Sequence, residues 1–193
     1  REKYKKILTV SHSNLDLFDL KAVRNFFKKF KPNIVFLAAG KAGNLNMCIS
    51  NPASLYSINT NIQNNIFLAA KEFNIDNLVY FSSSCVYPLN SKQPIDENEF
   101  LNGKLEEATE GYAASKISGI LACKAYNQEY YNNTAKFIAV VPNTVYGPND
   151  HFDLKNSHVF SALLMRFYKA VEENADEVVL WGSGKPKREF IFS

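Results

Sequence analysis

Tyr112 and Lys116 stand four residues apart in Tyr112-Ala-Ala-Ser-Lys116. On a helix that spacing puts a phenol and an ammonium on one face, about one turn apart. A cation beside a phenol favours phenolate and lowers a pKa that starts near ~10. The pair could then shuttle a proton to a carbonyl oxygen. Taken alone, the spacing reads better as two side chains on an exposed helix. Upstream, Ser82-Ser-Ser-Cys-Val-Tyr-Pro88 gathers three hydroxyls and the thiol of Cys85 at one chain turn. By themselves these groups read as a capped turn that Pro88 ends. His158 follows Asn156-Ser157 and precedes an apolar segment. With Asn156 or Ser157 as N-cap it falls in the first turn of a helix, where a lone histidine is more often structural than catalytic. Trp181-Gly-Ser-Gly-Lys-Pro-Lys-Arg188 combines a flat aromatic, flexible glycines and three cations. That composition suits a phosphorylated or nucleotide ligand, with a solvated basic loop as the plain alternative. Ala38-Ala-Gly-Lys-Ala-Gly43 has two glycines three apart, not G-x-G-x-x-G. It reads as small residues that let a backbone approach a ligand or a helix.

These residues need elements to hold them. Asn33 to Ala39 is a β-rich run entered through Lys31-Pro32, and residues 52–73 have helical period, with apolar positions at Leu55, Ile58, Ile62, Ile66, Leu68, Ala69 and Phe73. Asn77 to Ser82 is a second strand, and 88–110 is a loop carrying six acidic residues. A helix over 111–130, a strand from Lys136 to Val141 stopped by Pro142, a turn-rich exit through Pro148, a helix over 158–173 and a strand from Glu177 to Trp181 complete the pattern. Strand–helix alternation with near-continuous apolar strands predicts an α/β fold, a doubly wound parallel sheet covered on both faces. Ligands in such sheets sit beyond the carboxyl ends of the strands, here after Ala39, Phe81, Val141 and Trp181.

Composition narrows the function classes. With 193 residues, 46% of them hydrophobic, the chain is the size of one domain and can bury a core. Twenty-two basic against nineteen acidic side chains leave +3, and the lysines are scattered, so no nucleic-acid partner is expected. No apolar run approaches the ~18 residues of a membrane span, and no secretory signal follows Arg1 to Lys6. Cys48, Cys85 and Cys123 make neither a disulfide framework nor a CxxC metal site. A soluble, cytoplasmic domain without a metal is the expectation.

Ser83, then Tyr112 and Lys116, follow successive strand ends. This resembles the Ser/Tyr-x-x-x-Lys set of the extended short-chain dehydrogenase/reductase superfamily, whose sugar-nucleotide members share the Val-Tyr-Gly-Pro element at 145–148. SSCVYP at 83–88, GYAASKISGI at 111–120, NSHVFSALLMRF at 156–167 and WGSGKPKREF at 181–190 resemble the GDP-L-fucose synthase family. The resemblance runs from about Leu15 to the last residue. It implies a Rossmann-like domain and NADPH-dependent 3,5-epimerisation and 4-keto reduction of GDP-4-keto-6-deoxy-D-mannose. It also implies a homodimer paired through helices like 52–73 and 111–130. Position by position, Tyr112 matches the general acid at the C4 oxygen and Lys116 the residue that lowers the tyrosine's pKa and holds the nicotinamide ribose. Ser83 matches the hydroxyl that polarises the C4 carbonyl. Cys85 and His158 match the acid/base pair at C3 and C5. Asp16, Leu17, Ala38, Ala39, Phe81, Ser82, Ser83, Ser84, Lys116, Pro142, Asn143, Thr144, Val145 and His158 match NADP contacts. Arg166, Trp181 and Arg188 match positions that hold the GDP-sugar.

Four departures accompany the resemblance. The initial strand with its glycine-rich turn and the closing substrate segment are absent from these residues. The chain is therefore expected to be a piece of a longer protein, a partial dinucleotide-binding domain over 1–193 with the start of the substrate region at about 150–193. His12 stands about where an arginine would read a 2′-phosphate, which bears on NADP against NAD. Asn143-Thr144 reverses the usual order, and Gly111 precedes the tyrosine in place of the usual residue, with 131–135 longer than usual. Two other readings stand beside the first. One is a different sugar-nucleotide epimerase, dehydratase or reductase of the superfamily. The other is a non-catalytic domain that retains the fold.

Overall fold

The computed structural model describes residues 6–153, 157–180, 182–185 and 187–193. A parallel sheet of three strands, β1 (Val35–Leu37), β2 (Leu78–Phe81) and β3 (Phe137–Val140), runs in sequence order. Val35 pairs with Leu78, and Leu78 with Phe137. Helix α1 (Leu20–Phe30) precedes β1, α2 (Leu45–Ser50) and α3 (Pro52–Glu72) connect β1 to β2, and α4 (Glu110–Tyr130) connects β2 to β3. Beyond them, β4 (Thr144–Tyr146) pairs in parallel with β5 (Phe190–Phe192) across α5 (Val159–Glu172).

Local chemistry sets the helix ends. The Asp19 carboxylate accepts from the backbone N–H groups of Lys21 and Ala22 to open α1. Lys31 closes it in the left-handed conformation at φ 43°. Pro52 starts α3, where its missing N–H costs nothing and its φ is already helical. Leu55 is buried on α3, and Ile62, Ile66, Phe67, Ala69 and Ala70 of the same helix join Val23 and Phe27 of α1 and Leu37, Leu78, Tyr80 and Phe137 of the sheet. Aromatic rings tie the layers together. Phe67 lies 5.7 Å from Tyr80 and 5.8 Å from Phe137, and Tyr126 of α4 stacks on Phe137 at 5.2 Å.

Helix α4 lies flush on β2 because Gly119 has no side chain. A Cβ there would stand 2.3–2.5 Å from three atoms of the Tyr80 phenol. Gly119→Ala in the full-length protein is therefore expected to lose about 1–3 kcal/mol of stability by overpacking. A lower urea midpoint at unchanged slope would report it.

The structure differs from the expected elements in several places. Residues 177–180 form no strand. A strand exists only where a neighbour takes its hydrogen bonds, and among the described residues β4 takes β5 as its partner. Trp181 lies outside the described residues. The exit after Val141 contains β4, whose partner is more than forty residues away in sequence. The parallel α/β fold is as expected, and the described helices cover one face of its three-stranded sheet. Phe36, Val79 and Ile138 lie in register across the opposite face, with Phe36 54% and Ile138 45% exposed. Finally, His158 is the N-cap of α5 and not a first-turn residue, while Asn156 lies outside the described residues. On α3, Leu68 points outward, and Asn59 and Gln63 point in.

Candidate active site

The sequence Ser82-Ser-Ser-Cys turns as β2 ends. Ser82 N–H still bonds the Val140 carbonyl at 2.8 Å, extending the ladder by one residue. Ser83 is extended and caps a single 3-10 turn over Ser84–Val86, anchored by the fully buried Val86. Tyr112 and Lys116 follow on the first two turns of α4, which packs over this turn. The Ser83 hydroxyl lies close enough to both the Cys85 thiol and the Tyr112 phenol to favour the charged form of each. Lys116 Nζ donates to the Phe81 carbonyl at 2.9 Å and stands 5.2 Å from the Tyr80 ring centre and 5.8 Å from that of Tyr112. Ser83, Cys85, Tyr112 and Lys116 thus converge at the carboxyl end of the middle strand.

Burial dominates their electrostatics. It pushes the Tyr112 phenol up to about 12, with Cys85 adding to the rise and Ser83 opposing it. Lys116 is not among the groups that shift the phenol, and its ammonium gives its hydrogen bond to the Phe81 carbonyl. Burial also raises the Cys85 thiol, opposed by Ser83 and by the Lys116 charge. Lys116 is itself lowered by burial, with Cys85 pulling the other way. At neutral pH the phenol and the thiol both carry their protons, so each is poised to donate one.

Asn59 is a residue that spacing alone did not single out. It is 3% exposed on α3, and its Oδ1 accepts from Lys41 N–H at 2.8 Å while its Nδ2 donates to the Lys41 and Leu55 carbonyls. It pins the loop after β1 against the helix. Gly40 makes that close approach possible, since a Cβ there would stand 2.7 Å from Asn59 Oδ1 and 3.7 Å from Lys116 Nζ. A polar residue within the inward stripe Leu55–Ile62–Ile66 was the available signal.

The remaining candidates distribute as follows. Ala38 and Ala39 are exposed just past β1. Ser84 is exposed, whereas Ser82 is buried with its hydroxyl unpartnered. Pro142, Asn143 and Thr144 are half-buried after β3, Val145 is exposed, and Asn143 donates to Glu189 at 2.8 Å. Asp16 accepts from Phe18 N–H, and the Leu17 carbonyl accepts from Asn65 of α3 at 2.8 Å. His12 is exposed. His158 is exposed near Asp150 and makes no hydrogen bond or ion pair with Cys85 or Tyr112 among the described residues. Arg166 is half-buried on α5 and donates to the Val179 carbonyl at 3.0 Å, while Arg188 is exposed. No group of metal-binding side chains occurs among the described residues, and no described helix is long and apolar enough to cross a membrane.

A family model described as the NAD dependent epimerase/dehydratase family matches residues 1–193, the whole chain. The chain belongs to that family. This epimerase/dehydratase chain is 42% identical over 181 residues to a GDP-L-fucose synthase of Escherichia coli (strain K12), covering 94% of this chain and 56% of that protein. The family member thus spans little more than half the length of that curated relative. Among solved structures it superposes on a GDP-D-glycero-L-gluco-heptose synthase from Campylobacter jejuni, determined in the presence of NADPH. The TM-score is 0.87 at 31% identity, covering 99% of this chain and 64% of that one. It also superposes on a GDP-L-fucose synthetase from Naegleria fowleri bound to NADP, with TM-score 0.85 at 30% identity, covering 99% and 62%.

Proposed function

We propose that these residues are the cofactor-binding part of an enzyme that converts GDP-4-keto-6-deoxy-D-mannose to GDP-L-fucose by 3,5-epimerisation and NADPH-dependent 4-keto reduction. The substrate-binding region would begin at about residue 150. The observation that carries the reading is the convergence of Ser83, Cys85, Tyr112 and Lys116 on one strand end. The similarity to fucose synthases supports it.

The strand ends fit a dinucleotide. Ala38, Ala39 and Gly40 leave backbone exposed beside Lys116, and the buried Ser82 hydroxyl lacks a partner. Asp16, Leu17, Phe81 to Ser84, Lys116, Pro142 to Val145 and His158 would hold NADPH. When bound, the cofactor supplies the hydride that reduces C4. Ser83 polarises the C4 carbonyl with its hydroxyl. Tyr112, kept protonated by burial, donates to the C4 oxygen. Lys116 holds the ribose and places positive charge beside the developing alkoxide. A C4 ketone acidifies the protons on both neighbouring carbons, and Cys85 with His158 removes and returns them. Arg166, Trp181 and Arg188 hold the GDP portion. The protein pairs as a cytoplasmic homodimer through α3 and α4, where Leu68 and Leu121 offer exposed apolar surface.

Full-length protein given NADPH and the keto-sugar should oxidise the cofactor and yield GDP-L-fucose. The similarity to a GDP-heptose synthase favours a second reading, an enzyme on another GDP-linked keto-sugar. Turnover of a different keto-sugar nucleotide with none of the deoxymannose would decide for it.

A further inference from the structure

We propose that Tyr80 is a positioning residue for Lys116, its ring carrying the ammonium and Gln63 fixing the ring. The inference rests on the role given to Lys116 above and adds the groups that hold it. Tyr80 lies on β2, 2% exposed, and its hydroxyl donates to Gln63 Oε1 at 2.8 Å. Gln63, on α3 and equally buried, donates through Nε2 to Ser118 Oγ at 2.6 Å and to the Ser115 carbonyl at 3.1 Å. One amide therefore locks α3, β2 and α4 together around a single phenol. Gly119 leaves the space that the phenol fills.

The ring so fixed lies 5.2 Å from Lys116 Nζ. The other groups facing that ammonium are the Cys85 thiol, the Tyr112 ring, the Phe81 carbonyl and the backbone at Gly40. No carboxylate faces it among the described residues. A buried cation without a counter-ion is costly, and an aromatic face offsets part of that cost while favouring the charged form. Tyr80 thus does for Lys116 what an acidic partner does elsewhere, without a charge that would repel a phosphate-bearing ligand.

The test titrates Lys116 in the ligand-free full-length protein by the carbon-13 shift of its Cε, assigned with Lys116→Arg. Tyr80→Phe keeps the ring and should leave the midpoint within a few tenths of a unit, while lowering the melting temperature because the Gln63 oxygen loses its donor. Pentafluorophenylalanine at position 80 keeps the shape and removes the negative face. The midpoint should then fall by about one pH unit relative to Tyr80→Phe, and the alkaline limb of kcat should move with it. Equal midpoints for the two rings would overturn the proposal. Full turnover by Lys116→Arg and Lys116→Met alongside a shifted midpoint would instead sink the functional reading and leave the contact standing.

Discussion

Tyr112→Phe in the full-length protein is expected to slow NADPH oxidation on the keto-sugar by about 10²–10⁴, the range of a lost general acid. Exchange of the C3 and C5 protons with deuterated solvent should continue near its normal rate. The substitution removes one oxygen and leaves the ring, so Lys116 keeps its 5.8 Å approach to it and its bond to Phe81. The Ser83 hydroxyl keeps its place beside Cys85. The remaining hydroxyl can polarise the carbonyl but offers no proton of comparable acidity. Single-turnover absorbance at the reduced nicotinamide band and deuterium uptake by NMR separate the two steps. Loss of exchange together with reduction would show that Tyr112 serves both.

Cys85→Ser should give the complementary result. Exchange at C3 and C5 is expected to fall by a similar ~10²–10⁴, because a serine hydroxyl is a far weaker acid than a thiol. Hydride transfer to a keto-sugar that needs no epimerisation should persist within a few-fold. Cys85 is part of what holds the Tyr112 phenol up. In the variant the phenol would sit slightly lower and still be protonated at neutral pH. A Cys85→Ser enzyme that loses reduction of such a substrate as fully as Tyr112→Phe would refute the division of labour.

Much of this is legible in the sequence. The i, i+4 spacing of Tyr112 and Lys116 required only a helix, and α4 begins at Glu110, one residue before the expected start. Apolar period placed α3 within a residue at its C-terminal end. Helix α1, outside the expected elements, also has a local signal, with Asp19 as cap and Val23 and Phe27 one turn apart. Other features had no local signal. β4 depends on β5, a pairing far apart in sequence. The rise of the Tyr112 phenol comes from burial, which spacing does not encode, and the ammonium thought to oppose it is drawn to the Phe81 carbonyl. Leu68 fell on the wrong side of α3 because apolar residues are frequent on surfaces too.

The glycine at 119 carries no chemistry, yet it sets the height at which α4 rides above the sheet. Tyr112 and Lys116 sit upstream on the same rigid rod, whereas the Phe81 carbonyl belongs to the strand beneath it and Ser83 to the turn that follows. Any added bulk at 119 tilts the rod as one body. The phenol and the amine would keep their mutual spacing while both drew away from the groups they serve, so the site's calibration resides in one missing methyl group.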